Sequence, residues 1–111
     1  MINVTMTESG KKLSLRVEGH AEYAEHGKDI VCASASILAY TVAQHIKDMY
    51  GSGKLTEEPT LELRSGEADI SCHATEELTI VFSAICTGYK VLKFNYPQYV
   101  ELNINGEAYM P

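Results

Sequence analysis

The sequence predicts an α+β domain of two layers, a mostly antiparallel sheet with two helices on one face, in the order β-β-α-β-β-α-β. Three observations predict it. Short segments of alternating apolar and polar residues come in pairs joined by turn residues. Each pair is followed by a long segment whose apolar residues recur at helical spacing. Hairpins joined by helices pack as a sheet with helices segregated to one side. The 111 residues suit a single domain spanning 1–111.

The first pair is Ile2, Val4, Met6 and Leu13, Leu15, Val17, with Glu8-Ser9-Gly10-Lys11 between them. It reads as a hairpin with one buried face. From about Asp29 to Tyr50 the period changes. Ile30, Ser34, Ile37, Leu38, Thr41, Val42, Ile46 and Met49 follow helical spacing, and Gly51 and Gly53 end the helix. Leu61 and Leu63 then alternate, as do Ile70, Cys72 and Ala74, around a turn at Ser65-Gly66-Glu67. A second helix follows from about Thr75, a suitable N-cap, with the stripe Leu78, Val81, Phe82, Ile85, Tyr89, Leu92. Pro97 blocks its continuation. Val100, Leu102 and Ile104 make a last strand that ends at Asn105-Gly106.

Composition excludes several classes of function. Hydrophobic residues at 45% and charged residues at 22% are those of an ordinary core, large enough to hold without disulfides or metal. The cysteines number three, Cys32, Cys72 and Cys86, and Met1–Gly10 lacks the basic and apolar blocks of a secretion signal. An odd count in such a chain argues against a disulfide framework and for the cytoplasm. No apolar run is long enough to span a membrane. A net charge of −6 argues against direct nucleic-acid binding, which needs a basic patch, and is compatible with a basic protein partner.

The chemistry concentrates between Gly19 and Cys32. His20, His26 and Cys32 stand six residues apart in turn, in a loop that leads from the second strand into the first helix. A cysteine in a helix first turn faces unpaired N–H groups and the positive end of the helix dipole, both of which favour thiolate. Ser36, four residues on, shares its helix face. Asp29 can cap the helix or hold an imidazole in one tautomer. Three readings compete. His20 and Cys32 can act as base and nucleophile. His20, His26 and Cys32 can hold zinc, although their spacing is not a usual one and no Cys-x-x-Cys supports it. Cys32 can also be a core filler, as Cys72 and Cys86 are read to be from their phase with neighbouring apolar residues. His73 is expected to point outward and His45 to be a surface or packing residue. No Gly-x-Ser-x-Gly elbow or phosphate-cradling loop is present.

Gly19-His20-Ala21, Gly27, Asp29-Ile30-Val31-Cys32 and then Ser36 form a pattern that resembles the ribosomal-processing cysteine protease (Prp) family, over nearly the whole chain. The resemblance implies a bacterial cysteine endopeptidase, needing no cofactor, that removes an N-terminal extension from a large-subunit ribosomal protein. It implies Cys32 as nucleophile, His20 as base, and Gly19, Asp29 and Ser36 as supporting positions. It also implies a homodimer with a substrate loop between His and Cys, here Ala21, Glu22, Tyr23, Ala24, Glu25, His26, Gly27 and Lys28. The backbone at Cys32 and Ala33 is the expected oxyanion site. Family members commonly read A-A-V-S after the cysteine. This chain reads Ala33-Ser34-Ala35-Ser36, a departure that bears on substrate preference. Two alternatives accompany this reading: a non-enzymatic module that binds a ribosomal protein, and a mobile-element relative that processes another protein.

Overall fold

Alternation in sequence becomes a sheet with one apolar face. The computed structural model describes residues 1–25 and 28–106. Strands β1 (Ile2–Ser9) and β2 (Lys12–Glu18) form the first hairpin, pairing Val4 with Val17 and Met6 with Leu15. Helix α1 (Ile30–Gly51) follows, then the hairpin of β3 (Thr60–Arg64) and β4 (Glu67–His73), helix α2 (Glu76–Asn95) and β5 (Val100–Asn105). The sheet order is β3-β4-β2-β1-β5. The pairings β1–β2, β2–β4 and β3–β4 are antiparallel, and β1–β5 is parallel. The α+β class and the element order agree with expectation.

Val4, Met6, Leu13, Leu15 and Ile70 are fully buried in one core with residues of both helices. The opposite sheet face is polar. On it Arg16 pairs with Glu18, and reaches Asp69 at 3.7 Å and Glu67 at 3.9 Å across the strands. Such exposed pairs contribute little stability, so the face is held by its backbone ladder.

The two helices differ in how well their buried stripes match expectation. In α2 the buried residues Leu78, Phe82, Ile85, Tyr89 and Leu92 are those expected, with Val81 at the margin. Thr75 caps it, its hydroxyl accepting from the Leu78 N–H at 3.0 Å. In α1 the buried residues are Val31, Ala35, Ala39, Val42, Ala43, Ile46 and Met49. Ile30 and Ile37, expected inside, are 51% and 61% exposed. The reason is close packing. Alanines at 35, 39 and 43 let α1 lie near its neighbours, and this rotates the larger Ile30 and Ile37 outward. The Tyr89 hydroxyl, buried between the helices, donates to the Ala35 carbonyl at 2.9 Å. Burial pushes its phenol well above the usual range.

Strand β4 stops at His73, one residue short of the apparent alternation. Ala74 instead donates its N–H to the Lys11 carbonyl beside the first hairpin turn. Leu63, on edge strand β3, is 41% exposed rather than buried, because an edge is covered from one side only. Cys72 and Cys86 are buried as expected. Burial pushes the Cys72 thiol up to about 11 and raises that of Cys86, against a smaller opposing effect of Lys90. His73 lies outward and meets Glu57 at 2.8 Å. His45, at the surface of α1, meets Glu77 in the first turn of α2 at 2.7 Å.

Candidate active site

Strand β2 ends at Glu18, and the chain turns at once. Gly19 has φ 93, a conformation glycine adopts without strain. A side chain here is also excluded by space, since a Cβ would stand 2.5 Å from the Met1 carbonyl oxygen. The Gly19 N–H donates to the Gly66 carbonyl at 2.8 Å, tying the strand end to the β3–β4 turn. The His20 carbonyl accepts from the Met1 amino group at 2.7 Å, while the imidazole is on the exposed side. Ala21 is buried, and its N–H donates to Cys32 Sγ at 3.2 Å. The end of β2 and the start of α1 therefore meet at the sulfur.

Asp29 holds the helix start in place. One carboxylate oxygen accepts from the Val31 and Cys32 N–H groups at 3.0 and 2.9 Å. The other accepts from Tyr23 at 2.9 Å and, more weakly, Ala24 at 3.5 Å. Of the two roles open to Asp29 in sequence, the geometry gives it the cap. Burial by itself would raise its carboxyl, but the N–H groups of Cys32, Tyr23 and Ala24 outweigh that and hold it below the usual value. Glu22 enters the same turn at φ 57, the left-handed region uncommon for a residue with a side chain.

His20 and Cys32 line one open cleft of about 600 Å³, together with Ser36, Tyr40 and Gly66. Glu22, Ala24, Asp29, Ala33 and Ser65 complete its walls. A smaller cavity of about 50 Å³ shares His20, Cys32, Ser36, Tyr40 and Gly66 and extends to the core residues Ile2, Val17 and Ala35. Cys32 is half-buried, unlike the buried Cys72 and Cys86. A thiol that shares a cleft with an imidazole can be deprotonated there and can attack an electrophilic carbon.

Of the residues in the sequence pattern, His20, Cys32 and Ser36 line both cavities, Asp29 lines the larger and Gly19 the smaller. The backbone N–H groups of Cys32 and Ala33, the expected oxyanion donors, both have partners in the helix start. The Cys32 N–H donates to the Asp29 carboxylate and the Ala33 N–H to the Asp29 carbonyl at 3.1 Å, so helix capping already engages both. The N–H that meets the sulfur is that of Ala21. Within the loop, Glu22 and Ala24 line the cleft. The Tyr23 ring instead packs edge-on against Tyr96 and Tyr99, with centroids 5.5 and 5.1 Å away. Glu25 and Lys28 are exposed, 3.9 Å apart. His26 and Gly27 lie outside the described residues, and with His26 goes the third ligand of the zinc alternative. Ser34, where the chain departs from the family pattern, donates its hydroxyl to the Ile30 carbonyl at 2.6 Å within the helix.

Sequence reasoning missed Tyr40, Ser65 and Gly66. Tyr40 lies two turns beyond Cys32, on the face that Cys32 and Ser36 begin, and that spacing could have found it. Ser65 and Gly66 read only as a hairpin turn, and nothing local links that turn to His20.

The family model described as cysteine protease Prp matches residues 1–101. A ribosomal processing cysteine protease Prp from Mycoplasma genitalium is 33% identical over 92 residues, covering 80% of this chain and 85% of that protein. The one from Staphylococcus aureus is 22% identical over 106 residues, 92% of this chain and 95% of its own length. Among solved structures, the S. aureus Prp with a covalently linked product peptide superposes with a TM-score of 0.76 at 25% identity, covering 94% of this chain and 99% of that one. The same fold with a substrate peptide gives 0.68 at 23% identity. A match across the first 101 residues, with agreement in fold along nearly the whole chain, places this protein in the cysteine protease Prp family.

Proposed function

We propose that this cysteine protease is a processing endopeptidase that removes an N-terminal extension from a large-subunit ribosomal protein, with Cys32 as nucleophile and His20 as base. The observation that carries the proposal is the cleft itself, where a half-buried thiol at a helix start shares its walls with an imidazole from the neighbouring strand end. The substrate class is supported by relatives named as ribosomal processing proteases.

His20 takes the Cys32 proton, and the thiolate attacks the scissile carbonyl carbon. The carbonyl oxygen gains the negative charge, and the Ala21 N–H, already directed at the sulfur, is the donor best placed to meet it. Collapse of this intermediate breaks the C–N bond, and the proton on His20 goes to the leaving amine. The N-terminal extension is left as a thioester on Cys32. Water, deprotonated by His20, then attacks that thioester; the C–S bond breaks, His20 returns the proton to sulfur, and the released acid loses its remaining proton to solvent as the carboxylate. Asp29 acts by fixing the helix start and the loop around the sulfur. Ser36 presents a hydroxyl to the same cleft.

The exposed apolar row Ile80, Val91 and Phe94 on α2 supports a homodimer, Phe94 being 85% exposed. Among the described residues no helix is long and apolar enough to cross a membrane. We place the protein in the bacterial cytoplasm, without direct nucleic-acid contact. The test is to mix it with the extended ribosomal protein of its own host and follow intact masses. One cut near the substrate N-terminus is expected. An uncut substrate would shift the assignment to another substrate protein.

A further inference from the structure

The turn between β3 and β4 contributes a glycine to the cleft, and its lack of a side chain has two separate causes. Gly66 has φ 73, and a Cβ built there would stand 2.6 Å from Nε2 of His20, 2.9 Å from Cε1 and 3.4 Å from Cδ2. The first cause is backbone conformation, which any tight hairpin turn can impose. Gly10, in the β1–β2 turn, shows that cause alone. Its φ is 61, and a Cβ there would meet nothing within 4 Å. Gly66 carries the additional requirement that the space above it be filled by an imidazole. Its carbonyl also accepts from the N–H of Gly19, the residue before His20. One turn therefore fixes the backbone leading into His20 and provides the surface on which its ring rests.

We propose that Gly66 is a positioning residue for peptide cleavage, whose bare Cα seats the His20 imidazole in the orientation that serves Cys32. The proposal rests on the assignment of His20 as base. A side chain at 66 displaces the far end of a flexible residue rather than backbone, so the fold absorbs it. The cost falls on where the ring points. Misplacement of a catalytic group by about 1 Å can lower a rate about a hundredfold.

Asparagine separates the two causes, because it tolerates the left-handed conformation but carries a Cβ. Gly66→Asn and Gly10→Asn, in the full chain, should both fold with melting midpoints near that of the parent. Gly66→Asn should lose about a hundredfold in kcat with KM within about twofold, the pattern of an interaction needed in the transition state. Gly10→Asn should cleave like the parent. A second readout needs no substrate. The pH profile of Cys32 alkylation by iodoacetamide should move in Gly66→Asn to that of His20→Ala and stay in place in Gly10→Asn. If Gly66→Asn does not fold, Gly66→Ala adds the same carbon with a smaller side chain and is read by the same two measurements against Gly10→Ala, which carries the same backbone cost without the imidazole. Parental kcat or a parental alkylation profile at position 66 would overturn the proposal. Because alkylation is independent of substrate, it decides the role of Gly66 even if the parent protein leaves the ribosomal protein uncut.

Discussion

Three cysteines with one thiol chemistry sit in three environments, and their reactivities should differ accordingly. Cys72 and Cys86 are buried and their thiols are pushed up, whereas Cys32 faces the cleft. Limiting iodoacetamide at neutral pH, followed by peptide mapping, should find Cys32 modified first. First labelling at Cys72 or Cys86 would contradict the placement of the site. Asp29 gives a pH signature. Its folded carboxyl is held below the ordinary value of 3.8, so its stabilisation is present above that value and is lost as the pH falls through the lowered folded one. Asp29→Ala should cost about 1 kcal/mol at neutral pH. Asp29→Asn keeps a cap but has no proton to take up. Melting curves against pH should therefore show the parent's advantage over Asp29→Asn shrinking below about pH 4. His20, Asp29, Cys32 and Ser36 were legible in sequence because a loop and one helix turn bring near neighbours together. The seat of the His20 ring was not, because Gly66 reaches it only through strand pairing. Nor was the engagement of the Cys32 and Ala33 N–H groups, which depends on which oxygen Asp29 turns to them.

At the level of elements, alternation and helical period identify seven segments in the right order, and stripe membership is where reading by size fails. The stripe expected of α2 faces inward, whereas near the start of α1 the core residues are Val31, Ala35 and Ala39, and Ile30 and Ile37 turn outward. The difference is measurable. Phe82 is fully buried, so Phe82→Ala should cost about 3–5 kcal/mol in chemical denaturation. Ile37→Ala removes a comparably apolar side chain from a largely exposed position and should cost no more than about 0.5 kcal/mol in the monomer fold. Equal losses would mean that α1 is rotated from the orientation described. The parallel pairing of β1 with β5 was also outside what the pattern could give. Alternation places a strand on a face but does not choose its neighbour.

For the whole molecule, net charge and the exposed apolar row bear on the proposed substrate and the proposed dimer. The net charge of −6 should steer a basic ribosomal protein toward the enzyme. Raising salt from about 0.01 M to about 0.15 M shortens the screening length from about 30 to about 8 Å and should slow association while leaving kcat alone. A salt-independent kcat/KM would mean that charge does not steer the encounter. Association of copies through the α2 row predicts that Phe94→Glu shifts sedimentation from dimer to monomer. An unchanged sedimentation coefficient would place the interface elsewhere. The fold was legible from alternation and helical period, and the family from the pattern between Gly19 and Ser36. The α2 row was not, because an exposed apolar residue and a core one look alike until a structure separates them.

The most direct test of the central claim is single-turnover cleavage of the extended ribosomal protein by the parent, Cys32→Ala and His20→Ala, with melting midpoints measured alongside. One cut by the parent, none by Cys32→Ala and loss of most of the rate in His20→Ala are expected, all three chains remaining folded. Cleavage that persists in folded Cys32→Ala, or an unchanged rate in His20→Ala, would contradict it.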